Sequence, residues 1–415
     1  MLVCVNIPLV VILIVFLLIA MRRLGRLRFA IWQVMVAGAA AVLLTGQIGV
    51  GEAFRAVDPD VMLFLFGMFV VGETLVASGY LYVMAYRLFS RTASADALVI
   101  TVLFGAGLAS ALLMNDTVAI IGTPLMLRLA REHRINAKLL LLALAFAVTI
   151  GSVPSPIGNP QNLLIAIRSG MASPFWSFMS VLAIPSLLNL LLAYGVLRLL
   201  FWRAFHSHVL VHKPVEVSDA AMARLGRLSL LVVIALVAVK AGLAAAGRGS
   251  TLPLSWIAIA AALPPLLFSP RRWTLLRDID WRTLAFFAAM FVLTDAVWRT
   301  GYVQLQLVRW HVDLVAPHTV MGLSLGLSQL ISNVPLVALY LPLLSHAGAS
   351  TQASLALAVG STIAGNLLIL GAASNIIIIQ NAEKRGATLT FLEFARAGIP
   401  LTMLNVVLYW HFVAG

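Results

Sequence analysis

The chain has 415 residues, 62% of them hydrophobic and only 10% charged, with a formal net charge of +13 and a mean hydropathy of +1.03. Soluble domains are about 45–50% apolar and about 25% charged, so this composition excludes a soluble globular surface, and the shortage of charge excludes disorder. The basic excess hints at a nucleic-acid binder, but the 28 Lys and Arg stand in short clusters between long apolar runs, so a polytopic membrane protein with no nucleic-acid partner is expected.

The first predicted span, 3–20, is followed by Arg22, Arg23, Arg26 and Arg28. A signal peptide carries its basic residues before the apolar run, so this is an uncleaved span whose N-terminus lies outside. Cys4 is the single cysteine, which excludes an internal disulfide and a cysteine metal site. Spans follow at 29–50 and 61–86. The stretch 95–130 is apolar but broken by Asn115-Asp116-Thr117, so it is read as a hairpin that enters and leaves on one side. The span 139–167 is interrupted by GSVPSPIGNPQN (151–162). Spans are expected at 175–202, 228–247, 251–269 and 283–305. A second hairpin covers 315–347, broken by Ser332-Asn333 and Pro335. The span 352–380 is interrupted by GNLLILGAASN (365–375), and 388–413 closes the chain. The architecture is thus an all-α membrane protein of ten spans, two re-entrant hairpins and two interrupted helices.

Threading this pattern from an outside N-terminus puts 22 of the 28 basic residues on the cytoplasmic side and the C-terminus outside. That bias is the positive-inside rule, and it holds only if both hairpins are re-entrant. The location is the inner membrane, with lipid as a partner.

The two halves repeat. A shift of 222 residues lays MFVVGETLVASGY (68–80) on MFVLTDAVWRTGY (290–302), with Asp58 on Asp280 and Glu73 on Asp295. After gaps, Ser110, Asn115 and Pro124 fall on Ser328, Asn333 and Pro342. Gly158 and Asn162 fall on Gly371 and Asn375, and Ile184-Pro185 on Ile399-Pro400. Asn189 and Asn405 miss each other by one position. Five crossings and one hairpin per half reverse the second half, so 1–213 and 214–415 form an inverted-topology repeat, a common build of secondary transporters.

The polar clusters at membrane depth are the candidate site. Pro154, Pro156 and Pro160 cannot support a continuous helix, and Gly158 and Gly371 admit backbone geometry that a Cβ resists. Interrupted helices expose carbonyls on one half and N–H groups on the other, which suit a cation and an anion respectively. A lone Asn in a membrane helix is often interhelical glue; four interruptions paired by the repeat point to binding. Asp116, at bilayer depth, reads either as a carrier of a proton or coupling ion or as the cap of the helix leaving the tip. Glu73 and Asp295 are expected to be structural or water-facing. Gly322-Leu-Ser-Leu-Gly326 matches G-x-S-x-G but lies in an apolar hairpin arm, so no enzyme is expected. His206, His208 and His212 are read as part of a solvated basic loop.

NDTVAIIGTPLML (115–127), GSVPSPIGNPQNLLIA (151–166), SNVPLVALYLPLL (332–344) and GNLLILGAASNIII (365–378) resemble the ion transporter superfamily. Its members include divalent anion:sodium symporters, citrate–metal symporters, arsenite/antimonite permeases and sodium–proton antiporters. The resemblance implies a homodimer with scaffold helices (1–90 and 226–310) and transport segments (95–205 and 315–413), working as an elevator. It implies a site formed by Asn115, Asp116, Thr117, Gly158, Asn159, Gln161, Asn162, Ser332, Asn333, Gly371, Ser374 and Asn375. Sodium would sit at Asn115, Gly158 and Asn162, and at Asn333, Gly371 and Asn375. Asn115-Asp116 at the first tip is closer to the arsenite and citrate branches than to the dicarboxylate branch and points to proton coupling. The expected activity is coupled transport of a small anion or oxyanion, driven by H+ or Na+ without a cofactor; a sodium–proton antiporter using Asp116 is the alternative.

Overall fold

A backbone in lipid must satisfy its own polar groups, and the apolar runs do so as helices. The structure, a computed structural model, describes residues 6–21, 23–24, 27–28, 30–89, 92–206, 219–245, 253–302, 313–331 and 333–414. Ser332, His208, His212 and Cys4 lie outside these residues. Among the described residues, six helices are long and apolar enough to cross a membrane, and five shorter helices are also apolar.

In the first half the helices are α1 (Ile7–Met21), α2 (Ile31–Leu44), α3 (Val50–Ala56), α4 (Pro59–Ala77) and α5 (Tyr80–Phe89). The hairpin is α6 (Ala95–Leu113) and α7 (Asn115–His133). The interrupted span is α8 (Ala137–Ser152) and α9 (Pro160–Arg168), and α10 (Pro174–Leu200) completes the half. The second half runs α11 (Ala220–Ala245), α12 (Leu254–Phe268), α13 (Arg272–Asp278) and α14 (Trp281–Arg299). Its hairpin is α15 (Pro317–Ile331) and α16 (Asn333–His346), its interrupted span α17 (Thr351–Leu367) and α18 (Ala373–Glu383), and its last helix α19 (Phe391–Ala414). A two-residue antiparallel ladder joins Arg23–Leu24 to Leu27–Arg28 after α1.

Both hairpins and both interrupted spans therefore form where the polar clusters break the apolar pattern. Three expectations need correction, one being the span 283–305, whose helix stops at Arg299 with Gly301 at a φ of +69° just beyond it. The stretch 61–86 is two helices, because Gly79 adopts a φ of +68° between α4 and α5, a conformation glycine takes without a steric penalty. The stretch 29–50 ends at Leu44, and the seven-residue α3 follows. That short helix has a repeat mate in α13, and α3/α13 and α4/α14 correspond residue for residue at the 222 shift.

The packing is also paired. The hairpin arm α6 packs on α8, and its mate α15 packs on α17. Between halves, α4 packs on α12 as α14 packs on α2, and α7 meets α18 as α16 meets α9. Helices α10 and α19, themselves repeat mates, pack against each other. Each interrupted span thus touches the hairpin of the opposite half, as a pseudo-two-fold arrangement of an inverted repeat requires. Asp58 caps α4, accepting from the Asp60 and Val61 N–H groups at 3.0 and 3.1 Å. Its mate Asp280 caps α14 through the Thr283 N–H at 3.0 Å.

Candidate functional site

The first hairpin turns on a single residue. Met114 has φ 70° and ψ 140°, an uncommon conformation for a residue with a Cβ that costs about 1–3 kcal/mol. The next residue pins the turn: the Asn115 N–H donates to the Gly158 carbonyl at 2.8 Å, and its Oδ1 accepts from the Asp116 N–H at 2.9 Å. The tip is therefore tied to the first interruption. Asp116 is the second residue of α7, and the cap position is held by Met114 with no side-chain capping bond. The cap role for Asp116 is thus not what the fold uses; its charge lies in the first turn, where the helix dipole favours an anion.

The first interruption closes on itself. Gly158 folds back so tightly that a Cβ there would lie 2.5 Å from the Ser152 carbonyl oxygen. Asn159 caps α9, its Oδ1 accepting from the Asn162 N–H at 2.8 Å. The Asn162 amide donates to the carbonyls of Ser152, Val153 and Ser155 at 3.1, 3.2 and 3.1 Å. Thr362 of α17, from the other half, completes the set. Its hydroxyl accepts from Asn159 Nδ2 and Gln161 Nε2, both at 3.3 Å, and donates to Asn162 Oδ1 at 3.3 Å. Every one of these side chains is buried, so the pairing offsets the desolvation of each polar group.

The second interruption shares the frame and leaves oxygens over. Gly371 packs on the Ala364 carbonyl. The Asn375 amide donates to the Gly365 carbonyl at 2.6 Å, the repeat equivalent of the Asn162–Ser152 bond. Thr149 of α8 is the mate of Thr362 and lies against Gly365. The partners change, however: Ala372 stands where the first half has Asn159, and Ser374 where it has Gln161. Without those amides, Thr149 Oγ1, Ser374 Oγ and Asn375 Oδ1 are buried with no hydrogen-bond partner among the described residues. Gln329 of α15 donates to the Ala364 carbonyl at 2.8 Å, while its Oε1, beside Gly371, is likewise unpartnered. Asn333 Oδ1, at the neighbouring hairpin tip, is a fifth such oxygen. The N-terminus of α18 has no side-chain cap.

A cavity of about 470 Å³ opens between α4, α13 and α14 on one side and α7 and α18 on the other. Asp116 and Thr117 reach it from the tip, Glu73 from α4, Arg277 and Asp278 from the end of α13, Asp280 from the cap of α14 and Arg282 from its first turn. Four carboxylates thus face two exposed guanidinium groups. Among the described residues no group of three or more His, Cys, Asp and Glu is placed to hold a metal ion. Glu73 is half-buried and lines this cavity. Asp295 is structural: it pairs with Arg299 at 2.7 Å, and Arg299 also reaches Glu52 at 2.6 Å.

Other sequence candidates resolve into packing. Ser324 is buried and donates to the Val320 carbonyl at 2.5 Å, on the face where α15 packs against Gly360 of α17. Asn189 and Asn405, one position out of register in the repeat, are hydrogen-bonded at 2.7 Å, and Asn366 extends the chain to Asn405 at 3.0 Å. Helices related by the pseudo-axis cross near it, so contact there does not need equal sequence positions; these residues are interhelical glue. His206 ends a 3-10 turn, Trp202–His206. Sequence reasoning missed Thr149, Thr362 and Gln329. The two threonines carry a signal, since they correspond at the same 213-residue shift that pairs Gly158 with Gly371.

Two polar interruptions inside a repeated helical membrane fold, each facing a hairpin tip, define a secondary transporter rather than an enzyme. The chain belongs to the citrate transporter family, whose profile matches residues 14–355. It is 28% identical over 394 residues to an uncharacterized transporter of Mycobacterium tuberculosis (strain ATCC 25618 / H37Rv), covering 91% of each chain. It is 29% identical over 439 residues to the silicon efflux transporter LSI3 of Oryza sativa subsp. japonica, covering 88% of this chain and 89% of that protein. Its fold matches the crystal structure of the Alcanivorax borkumensis YdaH transporter, described as having an unusual topology. The TM-score is 0.56 at 16% identity, over 86% of this chain and 84% of that one.

Proposed function

We propose that this secondary transporter moves a small anion or oxyanion across the inner membrane, coupled to H+ and Na+ at two unlike repeat-related positions, by an elevator movement of a homodimer. The observation that carries the reading is the inequality of the two interruptions. The second offers hydroxyl and amide oxygens, hard neutral donors that suit Na+. It has no carboxylate of the kind that Ca2+ sites rely on. None of its side chains titrates near neutral pH, so it is not a proton site. The cation lies at the carbonyl end of α17, and the anion lies toward the uncapped N–H end of α18. In the first half the equivalent oxygens are consumed by Asn159, Gln161 and Thr362, and Asp116 carries the proton instead. The basic-residue bias supports a cytoplasmic opening for the cavity that Arg277 and Arg282 line.

A sodium–proton antiporter is the second reading, favoured by one observation: the cavity that reaches the tip is lined by four carboxylates and no buried basic residue. A screen of oxyanions, carboxylates and arsenite in proteoliposomes, with and without Na+ and a pH gradient, separates the two. Uptake of at least one anion driven by either gradient is expected. Thermal stabilisation by Na+ or Li+ alone, with no anion effect and no anion flux, makes the chain an antiporter.

A further inference from the structure

At the end of α9 far from the first interruption an ion pair joins the two kinds of segment, beside a cavity of about 240 Å³, about half the volume of the Asp280 one, lined by Leu164, Arg168 and residues of α16. Arg168 is the last residue of α9, the half-helix that begins at the first interruption. Its Nε meets Asp58 Oδ2 at 2.8 Å. Asp58 does two jobs, since the same carboxylate caps α4. The Arg168 guanidinium also lies over the Phe291 ring of α14, 4.6 Å from its centroid. One side chain of a transport segment therefore grips two scaffold helices. A ring contact between Trp298 of α14 and His346 of α16, at 5.0 Å, adds a second bridge between scaffold and transport segments.

The repeat supplies the comparison. The mates of Asp58 and Phe291 are Asp280 and Phe69, and both line the 470 Å³ cavity. Asp280 keeps the capping role but has no ion pair among the described residues. The residue equivalent to Arg168 is Asn381, which carries no charge to offer it. The Asp58 carboxylate is thus ion-paired, whereas its mate Asp280 has no ion pair among the described residues although Arg277 and Arg282 line the same cavity.

We infer that Arg168, Asp58 and Phe291 form a latch that holds the carrier open toward the Asp280 cavity, and that the latch parts each time the transport segments cross to the other face. This rests on the alternating-access reading proposed above. Because the pair is partly exposed, it is worth up to about 1 kcal/mol, or about a fivefold shift in the balance of the two states.

Thiol labelling of the protein in nanodiscs tests it, in a Cys4→Ser background with one reporter cysteine at a time. Ile377→Cys reports on the open cavity. Leu164→Cys, buried beside Arg168, reports on the latched face. Arg168→Gln is expected to speed Leu164→Cys labelling by a soluble maleimide by up to about fivefold and to slow Ile377→Cys labelling. Asp58→Asn, which keeps a good N-cap for α4, is expected to do the same, and the double variant to add little. Unchanged labelling at both reporters overturns the latch. So does a parallel rise at both, which is loosened packing rather than a change of state. Labelling needs no cargo: reciprocal labelling without flux of any tested anion sinks the transport reading alone, and intact flux with unchanged labelling sinks the latch alone.

Discussion

The two interruptions have the same backbone plan and opposite chemistry. Each folds a glycine onto the preceding half-helix, each returns an asparagine amide to a carbonyl there, and each receives a threonine from the other half. In the first, three amide-bearing side chains meet that threonine, which accepts from two of them and donates to the third. In the second, Ala372 and Ser374 replace two of them, and the threonine, serine and asparagine oxygens are buried unpaired. One backbone plan occurs twice, and a few residue differences leave the polar side chains of one copy paired with each other and several oxygens of the other unpaired among the described residues.

The largest test of this difference is at the first tip. Asp116→Asn is expected to abolish proton-coupled flux in proteoliposomes while leaving Na+-induced thermal stabilisation in place. Flux that keeps its pH dependence removes Asp116 as the proton carrier. Next comes the same substitution in the two repeat mates, with opposite signs. Thr362→Val removes the acceptor of Gln161 Nε2, one of two acceptors of Asn159 Nδ2 and the donor to Asn162 Oδ1, and is expected to destabilise the fold by about 1–3 kcal/mol. Thr149→Val deletes an unpaired hydroxyl, so its effect on unliganded stability is near zero or favourable, but it raises the Na+ half-saturation by about tenfold, as losing a charge-assisted contact of about 1.5 kcal/mol implies. Equal destabilisation and equal Na+ affinity in the two variants would erase the contrast.

The smallest effect is at the periphery, where the halves differ again. Glu52 of α3 accepts from the Gly49 N–H at 3.0 Å and pairs with Arg299; its mate in α13 is Thr274. The Gly49 bond first, and then the Arg299 charge, lower the Glu52 carboxyl below its ordinary 4.5. A depressed carboxyl stabilises the fold above its unfolded value, and that contribution fades as pH falls through the lower folded value. Glu52→Gln is therefore expected to lower the Tm slightly at pH 7 and not at all in strong acid, as a pH series of melting curves would show. Thr274→Val should show no such dependence.

Much of this was legible in the sequence, for a physical reason. Asparagine, proline and serine at bilayer depth are costly, so Asn115, Asn333 and the Gly158 and Gly371 segments stand out against the apolar background. What stayed hidden had no such contrast. The seven-residue α3 and α13 are too short and too charged to read as spans, and Gly79 breaks an apolar run that looks continuous. Thr149 and Thr362 resemble any threonine satisfied within its own helix, and only the partner half reveals what they face. Asp58 and Arg168 stand 110 positions apart, and nothing local joins them.

One feature of α9 has a mechanical side. The helix runs unbroken from Pro160, next to the capping Asn159, to Arg168, nine residues that make a rod about 13 Å long. Its pivot end is built into the first interruption and its free end carries the guanidinium. A tilt of about 10° at the pivot sweeps the far end by about 2 Å on a rod of that length, enough to part a 2.8 Å ion pair. On the latch proposed above, angular play at the interruption would be geared up into a stroke at the rim, so a small rearrangement of buried amides would have the reach to release the far side of the protein.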